Sequence, residues 1–428
     1  MRITKFILAA GLLLAAAPMF AGTLAVGSCE PHLTSFPTIS LAVAAAPSVG
    51  STTIEVCPGT YPEQVRITKT ITLKGIASGN SNAAIITAPS GGMVANATSF
   101  YGGPAIEAQV LVQNATATVE DLTMDASGSN LGSMGCSGYP IGIFYQNAGG
   151  TVTRNNVLND ILGAGLTGCQ SGLGIYVESG TTTIQPNPST YAPSTVHITY
   201  NNVANFQKNG ITGNASGTDV TISSNVVVGQ GPWNGAAQNS VQIAFGATGT
   251  VTSNTVGSDV WAPDVFGDTG DAAAGILVYA SSNITVSTNS VSNTQYGIAV
   301  VSETPGDGAG ATVNSNTITL THLYDAIDLC SNGNTAMSNK ITGADESGIH
   351  FDDTCADPAT GNSATSNTIS GTCAGVLEGP SATGTTTPNT YYNAVNLVLT
   401  GSDTCTPPPS GANKPAARPH WRVSPAKP

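Results

Sequence analysis

The sequence predicts an all-β solenoid, in which short strands wind into stacked coils. Two recurring patterns lead to this fold class. In the first, an Asn is followed two residues later by Val or Ile, and in the second a small residue directly precedes Ile or Val. Between them, polar and apolar residues alternate with the period of two that a half-buried strand requires. Helical periodicity is almost absent, so we expect very little helix.

The asparagine pattern recurs at a nearly constant interval, which marks a repeat architecture. The series consists of Asn156, Asn202, Asn225, Asn254, Asn289, Asn316, Asn339 and Asn367. From Asn202 onward the interval averages about 27 residues, and we interpret the interval of 46 before Asn202 as two coils. A coil of this length cannot bury its apolar face alone, whereas stacked coils can. We expect the stacked asparagine amides to hydrogen-bond in a ladder.

The second pattern places an Ile at the same point of successive coils, and we expect these residues to form one stack in the core. They are Ile143, Ile175, Ile211, Ile276, Ile298, Ile327 and Ile349. Because side chains alternate between the two faces of a strand, the residue after each Ile is expected to point away from the core. About a dozen coils are expected in all.

Composition agrees with this fold and limits the partners. The chain of 428 residues has 50 Gly, 25 Pro and 9% charged residues, which is too much Gly and too little charge for a typical helical enzyme. Its 25 acidic and 12 basic residues give a formal net charge of −13. A surface of that sign repels phosphate backbones, so we expect no nucleic-acid partner. We expect a monomer.

Three regions are expected along the chain. Residues 1–21 open with two basic residues and a short apolar run that Pro18 ends, which is typical of a signal peptide rather than a membrane anchor. Residues 22–405 form the solenoid, and no segment there is apolar enough to span a bilayer. Residues 406–428 are Pro-rich and typical of a disordered tail. We therefore expect a secreted, periplasmic or cell-surface protein.

Eight cysteines in an exported chain indicate disulfide bonds rather than a metal site, because no Cys-x-x-Cys pair occurs. Taken in chain order, the two members of each pair are separated by about one coil. The expected pairs are Cys29–Cys57, Cys136–Cys169, Cys330–Cys355 and Cys373–Cys405. Pairing of Cys355 with Cys373 stays open as an alternative, because only 18 residues separate them.

The opening of the solenoid resembles a known family. Residues 36–75, which include Phe36-Pro37-Thr38-Ile39 and Ile71-Thr72-Leu73-Lys74-Gly75, are similar to the opening of right-handed parallel β-helix proteins of the pectin lyase-like superfamily, and of pectin methylesterases among them. The resemblance implies a right-handed parallel β-helix with a short N-terminal capping helix. The active-site strings of the family's enzymes are not matched, so the resemblance implies a fold and no particular reaction.

A cluster of acidic residues and a histidine is expected on the outer face of two neighbouring strands. Aligning the Ile positions places Asp328 beside His350, with Asp352 two residues further along. Such groups are suited to general acid–base hydrolysis, and we predict them as catalytic residues. The alternative is that they are ordinary solvated side chains. His322 and Tyr324 precede this strand pair and are predicted to contact substrate.

Two long insertions carry Trp233 and Trp261 at the same point of adjacent coils. Sugar rings stack on such aromatic faces, so we predict a groove with both Trp toward one end and the acidic cluster toward the other. The alternative is that the rings pack beneath their own loops. The second insertion also holds Asp259, Asp264, Asp268 and Asp271. These could bind calcium, but no calcium-loop spacing occurs, and no cofactor is expected.

These features predict an exported protein that binds extracellular polysaccharide, either pectin-like or another plant or microbial glycan, and hydrolyses or de-esterifies it. The alternative is a non-catalytic surface or carbohydrate-binding β-helix. Basic residues are scarce in the solenoid, which disfavours lyase action on acidic polymers because an acidic groove repels a polyanion.

Overall fold

The computed structural model describes residues 22–79, 81–100, 105–127, 131, 135–180, 195–262 and 272–405. These residues form a single right-handed parallel β-helix built from three sheets, which confirms the predicted fold. The expected signal peptide at 1–21 and disordered tail at 406–428 lie outside the described residues. Within the described part of the chain, no helix has the length and apolar character needed to cross a membrane.

The strands are numbered in chain order. From β3 onward each coil contributes one strand to each of the sheets A, B and C, and β1 and β2 extend sheet A at its N-terminal end. Sheet A contains β1 (Thr23–Val26), β2 (Thr34–Phe36), β3 (Thr52–Val56), β6 (Ile71–Gly75), β10 (Thr116–Glu120), β13 (Gly149–Thr153), β16 (Val196–Thr199), β19 (Asp219–Ser223), β22 (Thr248–Thr252), β25 (Thr285–Ser287), β28 (Thr312–Asn314), β31 (Thr335–Met337), β34 (Thr360–Thr365) and β37 (Thr383–Thr385). Sheet B contains β4 (Gly59–Pro62), β7 (Ala84–Thr87), β11 (Thr123–Asp125), β14 (Asn156–Leu158), β17 (Asn202–Ala204), β20 (Val226–Val228), β23 (Thr255–Asp259), β26 (Ser290–Thr294), β29 (Thr317–Thr321), β32 (Lys340–Thr342), β35 (Thr368–Ser370) and β38 (Thr390–Tyr392).

Sheet C contains β5 (Val65–Ile67), β9 (Ala105–Gln113), β12 (Gly138–Gln146), β15 (Leu173–Glu178), β18 (Asn209–Asn214), β21 (Asn239–Ala244), β24 (Ala274–Tyr279), β27 (Tyr296–Val301), β30 (Ile327–Cys330), β33 (Ser347–Phe351), β36 (Ala374–Glu378) and β39 (Asn396–Thr400). The short strand β8 (Ala97–Thr98) pairs with β9 in the antiparallel sense. The helical segments are α1 (Ile39–Ala45) and a 3₁₀ turn (Gly135–Ser137).

A single aliphatic stack along sheet C forms the spine of the core, as predicted. The seven Ile residues of the second pattern are fully buried and belong to one core cluster. Val241 continues the stack between Ile211 and Ile276. The residue before each stacked side chain is small because the corner between sheets B and C is crowded. A Cβ added to Gly174, for example, would lie 2.5 Å from Cγ1 of Val203.

A continuous ladder of asparagine side chains runs along the corner between sheets A and B. Its members are Asn155, Asn201, Asn225, Asn254, Asn289, Asn316, Asn339, Asn367 and Asn389. Nδ2 of Asn201 donates to Oδ1 of Asn225 at 3.0 Å and to the carbonyl oxygen of Val152 at 2.9 Å. The same Asn225 oxygen accepts the backbone N–H of Asn201 at 2.9 Å. Each amide is therefore satisfied only if the neighbouring coil stacks in register.

The ladder corrects two details of the sequence prediction. Its first two members are Asn155 and Asn201, whereas the sequence predicted the adjacent Asn156 and Asn202. Asn202 is exposed and lies on strand β17. Strand β14 pairs directly with β17, so the interval of 46 residues is one coil with a long loop and not two coils.

The N-terminal end of the solenoid is covered by α1, as the family resemblance implied. Ile39, Ala42 and Val43 of this helix are buried against the first coils. Glu63 accepts the backbone N–H groups of Ile39 and Ser40 at 2.8 and 2.9 Å. Lys69 donates to three carbonyl oxygens at the other end of the helix. An acid at the N-terminus and a base at the C-terminus complement the helix dipole.

Four disulfide bonds join neighbouring coils, with Cα–Cα distances between 5.2 and 5.9 Å. The pairs are Cys29–Cys57, Cys136–Cys169, Cys330–Cys355 and Cys373–Cys405. This is the pairing expected from chain order, and the alternative between Cys355 and Cys373 is not formed. These distances lie in the range that a disulfide requires.

Asp160 is an acidic side chain inside the solenoid, just after strand β14. It is 1% exposed, and neither of its carboxylate oxygens has a hydrogen-bond partner among the residues that the structure describes. Burial, with a smaller contribution from the negative charge of Asp125, raises the pKa of Asp160 well above its ordinary value. The folded protein therefore keeps this carboxyl protonated at pH values where an exposed aspartate is ionised.

Replacing Asn201 by Ala is expected to lower the free energy of unfolding by about 2 kcal/mol or more. The change leaves two donors of Asn155 without their acceptor. It also removes the Nδ2 donor to the carbonyl oxygen of Val152 and one of the two donors to Oδ1 of Asn225, and each buried unsatisfied group is costly. Asn202→Ala is the matched control, because it removes an exposed amide. Its effect is expected to stay within about 0.5 kcal/mol. Equal effects of the two changes in urea unfolding would contradict the ladder register.

Replacing Asp160 by Asn is expected to stabilise the protein increasingly as the pH rises from about 4 to about 7. Wild-type Asp160 holds a proton in the folded state and loses it on unfolding, so its contribution to stability falls as pH rises above the pKa of the unfolded chain. An amide of the same shape cannot ionise. Urea unfolding of both proteins across this pH range measures the difference, and a pH-independent difference would argue against a protonated Asp160.

Candidate functional site

The candidate site lies on the outer face of sheet C, toward the C-terminal end of the solenoid. Asp328 on β30 pairs in register with His350 on β33, and both side chains leave the sheet on the side away from the core, as predicted. Asp352 follows β33, and Asp325 precedes β30. All four side chains are fully buried, at 0% exposure, so the expectation of a solvent-facing surface at these positions is wrong.

His350 is held between two carboxylates. Its Nδ1 lies 3.2 Å from Oδ2 of Asp325 and 3.9 Å from Oδ2 of Asp352. Asp325 is in turn fixed by Ser347, whose hydroxyl and backbone N–H donate to Oδ1 at 2.7 and 3.1 Å. Asp328 completes the arrangement. One carboxylate oxygen each of Asp325 and Asp328 and one ring nitrogen of His350 all lie within 4.8 Å of one another. The imidazole therefore has a fixed orientation among three acids.

A fifth member of the site, Asp403, comes from the chain segment that follows the last strand. Residues 401–405, which we call the C-terminal strap, are tied down by the Cys373–Cys405 bond. The backbone N–H of Cys405 also donates to Oε1 of Glu346 at 3.1 Å. Asp403 is half-buried. One of its carboxylate oxygens lies within 4.8 Å of a ring nitrogen of His350 and of a carboxylate oxygen of Asp352. We call these five residues, Asp325, Asp328, His350, Asp352 and Asp403, the acid–histidine cluster.

The environment of Asp403 makes it a proton carrier near neutral pH. Burial is the largest effect that raises its pKa to about 6. A hydrogen bond with Asp353 and the negative charges of Asp353 and Asp352 act in the same direction, while His350 opposes them. Sequence reasoning missed Asp403 because it lies outside the repeat. Its position two residues before Cys405 was the available signal.

The residues predicted to contact substrate beside this cluster are engaged in other contacts. The ring of Tyr324 stacks on Tyr296 with centroids 4.6 Å apart and planes 3° apart, and Tyr324 is only 8% exposed. Nε2 of His322 lies 2.8 Å from Oδ1 of Asn293. Substrate contact by these two residues stays a prediction.

Trp233 and Trp261 are neighbours in adjacent coils, as predicted, and both contact Gly235 in the first insertion. Their backbones form a parallel bridge. Nε1 of Trp261 donates to the carbonyl oxygen of Gly235 at 2.6 Å. A Cβ on Gly235 would lie 2.2 Å from Nε1 of Trp233, so that ring covers the glycine closely. Both residues are half-buried, and a groove that joins them to the acid–histidine cluster stays a prediction.

Of the four aspartates named as an alternative calcium site, the structure describes only Asp259, so calcium binding there stays a prediction. Asp259 is fully buried, and its Oδ2 accepts the Ser240 hydroxyl at 2.6 Å. Burial raises the pKa of Asp259 well above its ordinary value. Asp264, Asp268 and Asp271 lie outside the described residues.

Comparison with known proteins supports the fold, and several of the similar structures are of proteins that are named for a carbohydrate or contain one. Residues 269–406 match a family model described as periplasmic copper-binding protein (NosD), which covers less than half of the chain. No curated protein sequence matches the chain. Among solved structures, the GH136 lacto-N-biosidase from Eubacterium ramulus is similar at 11% identity and a TM-score of 0.57, over 89% of this chain and 68% of that one.

Two further solved structures share the fold. A mutant tailspike protein of E. coli bacteriophage HK620, in complex with a pentasaccharide, has 12% identity and a TM-score of 0.52 over 85% of this chain and 62% of that one. The catalytic domain of a GH87 α-1,3-glucanase, in complex with tetrasaccharides, has 12% identity and a TM-score of 0.50 over 95% and 69%. The chain is thus a right-handed parallel β-helix protein, and at these identities the likeness extends to the fold alone.

The family description names copper, so the donor set of the cluster can be tested against it. The cluster offers carboxylate oxygens and one imidazole. Cys330 lies close by, but its sulfur is bonded to Cys355. Copper(I) prefers thiolate and thioether ligands, whereas oxygen-rich sets suit calcium, magnesium and manganese. The cluster therefore does not fit copper(I).

Replacing Trp261 by Ala is expected to lower the free energy of unfolding by about 2 kcal/mol, because a half-buried aromatic ring and its hydrogen bond are lost. Trp261→Phe keeps most of the packing and is expected to cost about 1 kcal/mol. Thermal or urea unfolding measures both changes. If neither variant is destabilised, the ring does not stabilise its loop and is free to contact a ligand.

Proposed function

We propose that this protein is an exported carbohydrate-active β-helix that hydrolyses a glycosidic bond at the acid–histidine cluster. The observation that carries the proposal is Asp403, a half-exposed carboxyl with a pKa raised to about 6, beside the carboxylate of Asp352. A pair of neighbouring carboxyl groups, one of which serves as the general acid, is the basis of glycosidase chemistry.

The proposed roles follow from position and protonation. Asp403 reaches the surface and carries a proton below about pH 6, so it serves as the general acid that protonates the leaving-group oxygen. Asp352 attacks the anomeric carbon, and water then releases the sugar with Asp403 acting as base. Oxygen atoms of the two groups lie within 4.8 Å, and such a close pair favours the retaining mechanism over the inverting one. Asp325 orients His350 beside them.

Charge and structural likeness support a carbohydrate substrate. The net charge of −13 favours a neutral glycan over a polyuronate, because an acidic surface repels a polyanion. The similar solved structures include a lacto-N-biosidase, an α-1,3-glucanase with tetrasaccharides and a tailspike with a pentasaccharide. They share only the fold with this chain, yet each is named for a carbohydrate or contains one.

Export is proposed on two grounds. The four disulfide bonds require an oxidising compartment to persist. The family model that matches residues 269–406 is described as periplasmic. We infer a periplasmic, secreted or cell-surface location, which agrees with the leader expected at residues 1–21.

The proposal predicts that Asp403→Asn and Asp352→Asn each lower hydrolysis by about 100-fold or more, because each removes one half of the acid–nucleophile pair. Reducing-end release from a panel of neutral oligosaccharides and polysaccharides measures the rate. In the wild type, kcat/KM is expected to fall as pH rises through about 6, since Asp403 loses its proton there. That limb should disappear in Asp403→Asn.

Asp219→Asn provides a matched control, because Asp219 is an exposed acid on sheet A, away from the cluster. It is expected to leave the rate unchanged. Release of sugar by wild type and Asp403→Asn at the same rate would contradict the assignment of the general acid.

A second candidate function is carbohydrate binding without turnover. The complete burial of Asp328, His350 and Asp352 favours it, because a substrate must reach Asp352 for hydrolysis to occur. In that case a glycan would retard the protein in affinity electrophoresis while no substrate on the panel is cleaved.

A further inference from the structure

The outer face of sheet A carries a row of threonines that continues along almost the whole solenoid. Val251, which follows Thr250 on β22, is fully buried in the core, so Thr250 and the residues paired with it in register point away from the core. We call this series the threonine row. Its members are Thr53, Thr72, Thr118, Thr151, His197, Thr221, Thr250, Thr285, Thr312, Thr335, Ser363 and Thr385.

A second row of short polar side chains lies beside the first, two residues further along the same strands. From β13 to β28 it consists of Thr153, Thr199, Ser223, Thr252, Ser287 and Asn314. From β13 to β34, neither row contains Asp, Glu, Lys or Arg. Because the whole chain has a net charge of −13, these two rows form an uncharged face on an acidic protein.

The backbone sets the spacing of these side chains in two directions. Neighbouring strands lie about 4.8 Å apart, and alternate residues of one strand lie about 6.6 Å apart. From β10 to β31 the register of sheet A continues without a shift. Threonine is β-branched and its χ1 angle is restricted, so the members of a row can present their hydroxyl and methyl groups in the same orientation. The face is therefore a regular two-dimensional array.

Strand propensity alone does not explain the threonine row. Threonine is favoured in strands of any sheet, yet the corresponding outward row of sheet B is mixed. In register, that row contains Thr123, Asn156, Asn202, Val226, Thr255, Ser290, Thr317, Lys340 and Thr368. The uniform series is thus a property of sheet A, which points to a role for this face.

The hydroxyl groups at the centre of the threonine row are available to water. Thr221, Thr250, Thr285 and Thr312 are partly exposed. Their side chains form no hydrogen bond with the part of the protein that the structure describes. Each hydroxyl therefore keeps one donor and two acceptor positions for solvent, while the methyl groups beside them restrict the orientation of neighbouring water.

We propose that the outer face of sheet A is an ice-binding surface, on which the two rows hold water in an ice-like arrangement. Hexagonal ice repeats its oxygen atoms at spacings similar to those of the two rows along the axes of its prism face. Ice carries no net charge, so a face without ionised groups matches it, whereas a charged group would have to lose its hydration against the ice. This inference does not depend on the proposed hydrolytic activity.

The composition of the face favours ice over two other uncharged occupants. Glycan sites commonly use aromatic side chains, and from β13 to β34 the imidazole of His197 is the one ring in the two rows. The core of a protein–protein interface is enriched in aromatic residues and Met, and over the same strands the rows contain Met337 as their one large apolar side chain. An insoluble glycan and a second copy of the chain are therefore alternatives that the experiment must distinguish.

Slow freezing of a solution of the full chain around a cooled probe tests the proposal. A protein that binds ice enters the growing ice, whereas other proteins are excluded into the liquid. We expect the wild type in the ice fraction. Thr250→Lys and Thr285→Lys are each expected to lose most of this incorporation, because an ammonium group must be desolvated against the ice.

Thr319→Lys is the matched control, because Thr319 is also a partly exposed, outward-facing threonine but lies on sheet B. It is expected to enter the ice as the wild type does. Circular dichroism melting of each lysine variant verifies that the loss of incorporation does not reflect unfolding.

Three results would overturn the proposal. The first is exclusion of the wild type from ice, including the case in which it binds insoluble cellulose or chitin instead. The second is an equal loss in Thr250→Lys and Thr319→Lys, which would place the contact with ice elsewhere. The third is a wild-type dimer in light scattering that Thr250→Lys converts to the mass of one chain, which would assign the face to a second copy.

Discussion

The structure depends on the stacking of every coil in the same register. Parallel pairing of backbones would permit a slip by one residue, but such a slip turns all core side chains outward. The asparagine ladder opposes it, because each amide finds its partners only when the next asparagine lies directly above, as Asn289 does for Asn254 at 3.0 Å. The disulfide pairing and the Ile stack follow from this register. So does the alignment of outward-facing residues on neighbouring strands of sheet C, such as Asp328 and His350.

The same register brings the acidic side chains of the acid–histidine cluster together, although their negative charges repel one another. Asp328 and His350 are adjacent because they follow stacked Ile residues, and burial of several carboxylates at one place is costly unless hydrogen bonds or protonation relieve it. Ser347 bonds Asp325, and the imidazole lies between two acids. The negative charges of Asp352 and Asp353 raise the pKa of Asp403, which holds a proton up to about pH 6 and so reduces the repulsion among these acids. The proximity of these ionisable groups is thus a consequence of the fold's geometry.

Most of the fold was predictable because it is repetitive. The core stack, the capping helix and the four disulfide pairs all follow from patterns that recur or match a family opening. The first ladder members were misassigned because Asn155-Asn156 and Asn201-Asn202 each offer two asparagines. Only Asn155 and Asn201 have the valine two residues later that the pattern requires, and these two are buried. The coil between them was miscounted because loop length is free to vary while strand spacing is not.

The sequence by itself determined the solenoid and the face of the sheet on which each residue lies, because a strand has a period of two. It could not determine what covers that face. Trp261 bonds to Gly235, Tyr324 stacks on Tyr296, and Asp328 is fully buried, and each of these contacts depends on segments whose paths no repeat specifies. Asp403 reaches His350 only because the chain returns over sheet C after the last strand and is tied to Cys373. Such contacts between residues distant in sequence are decided by packing in three dimensions.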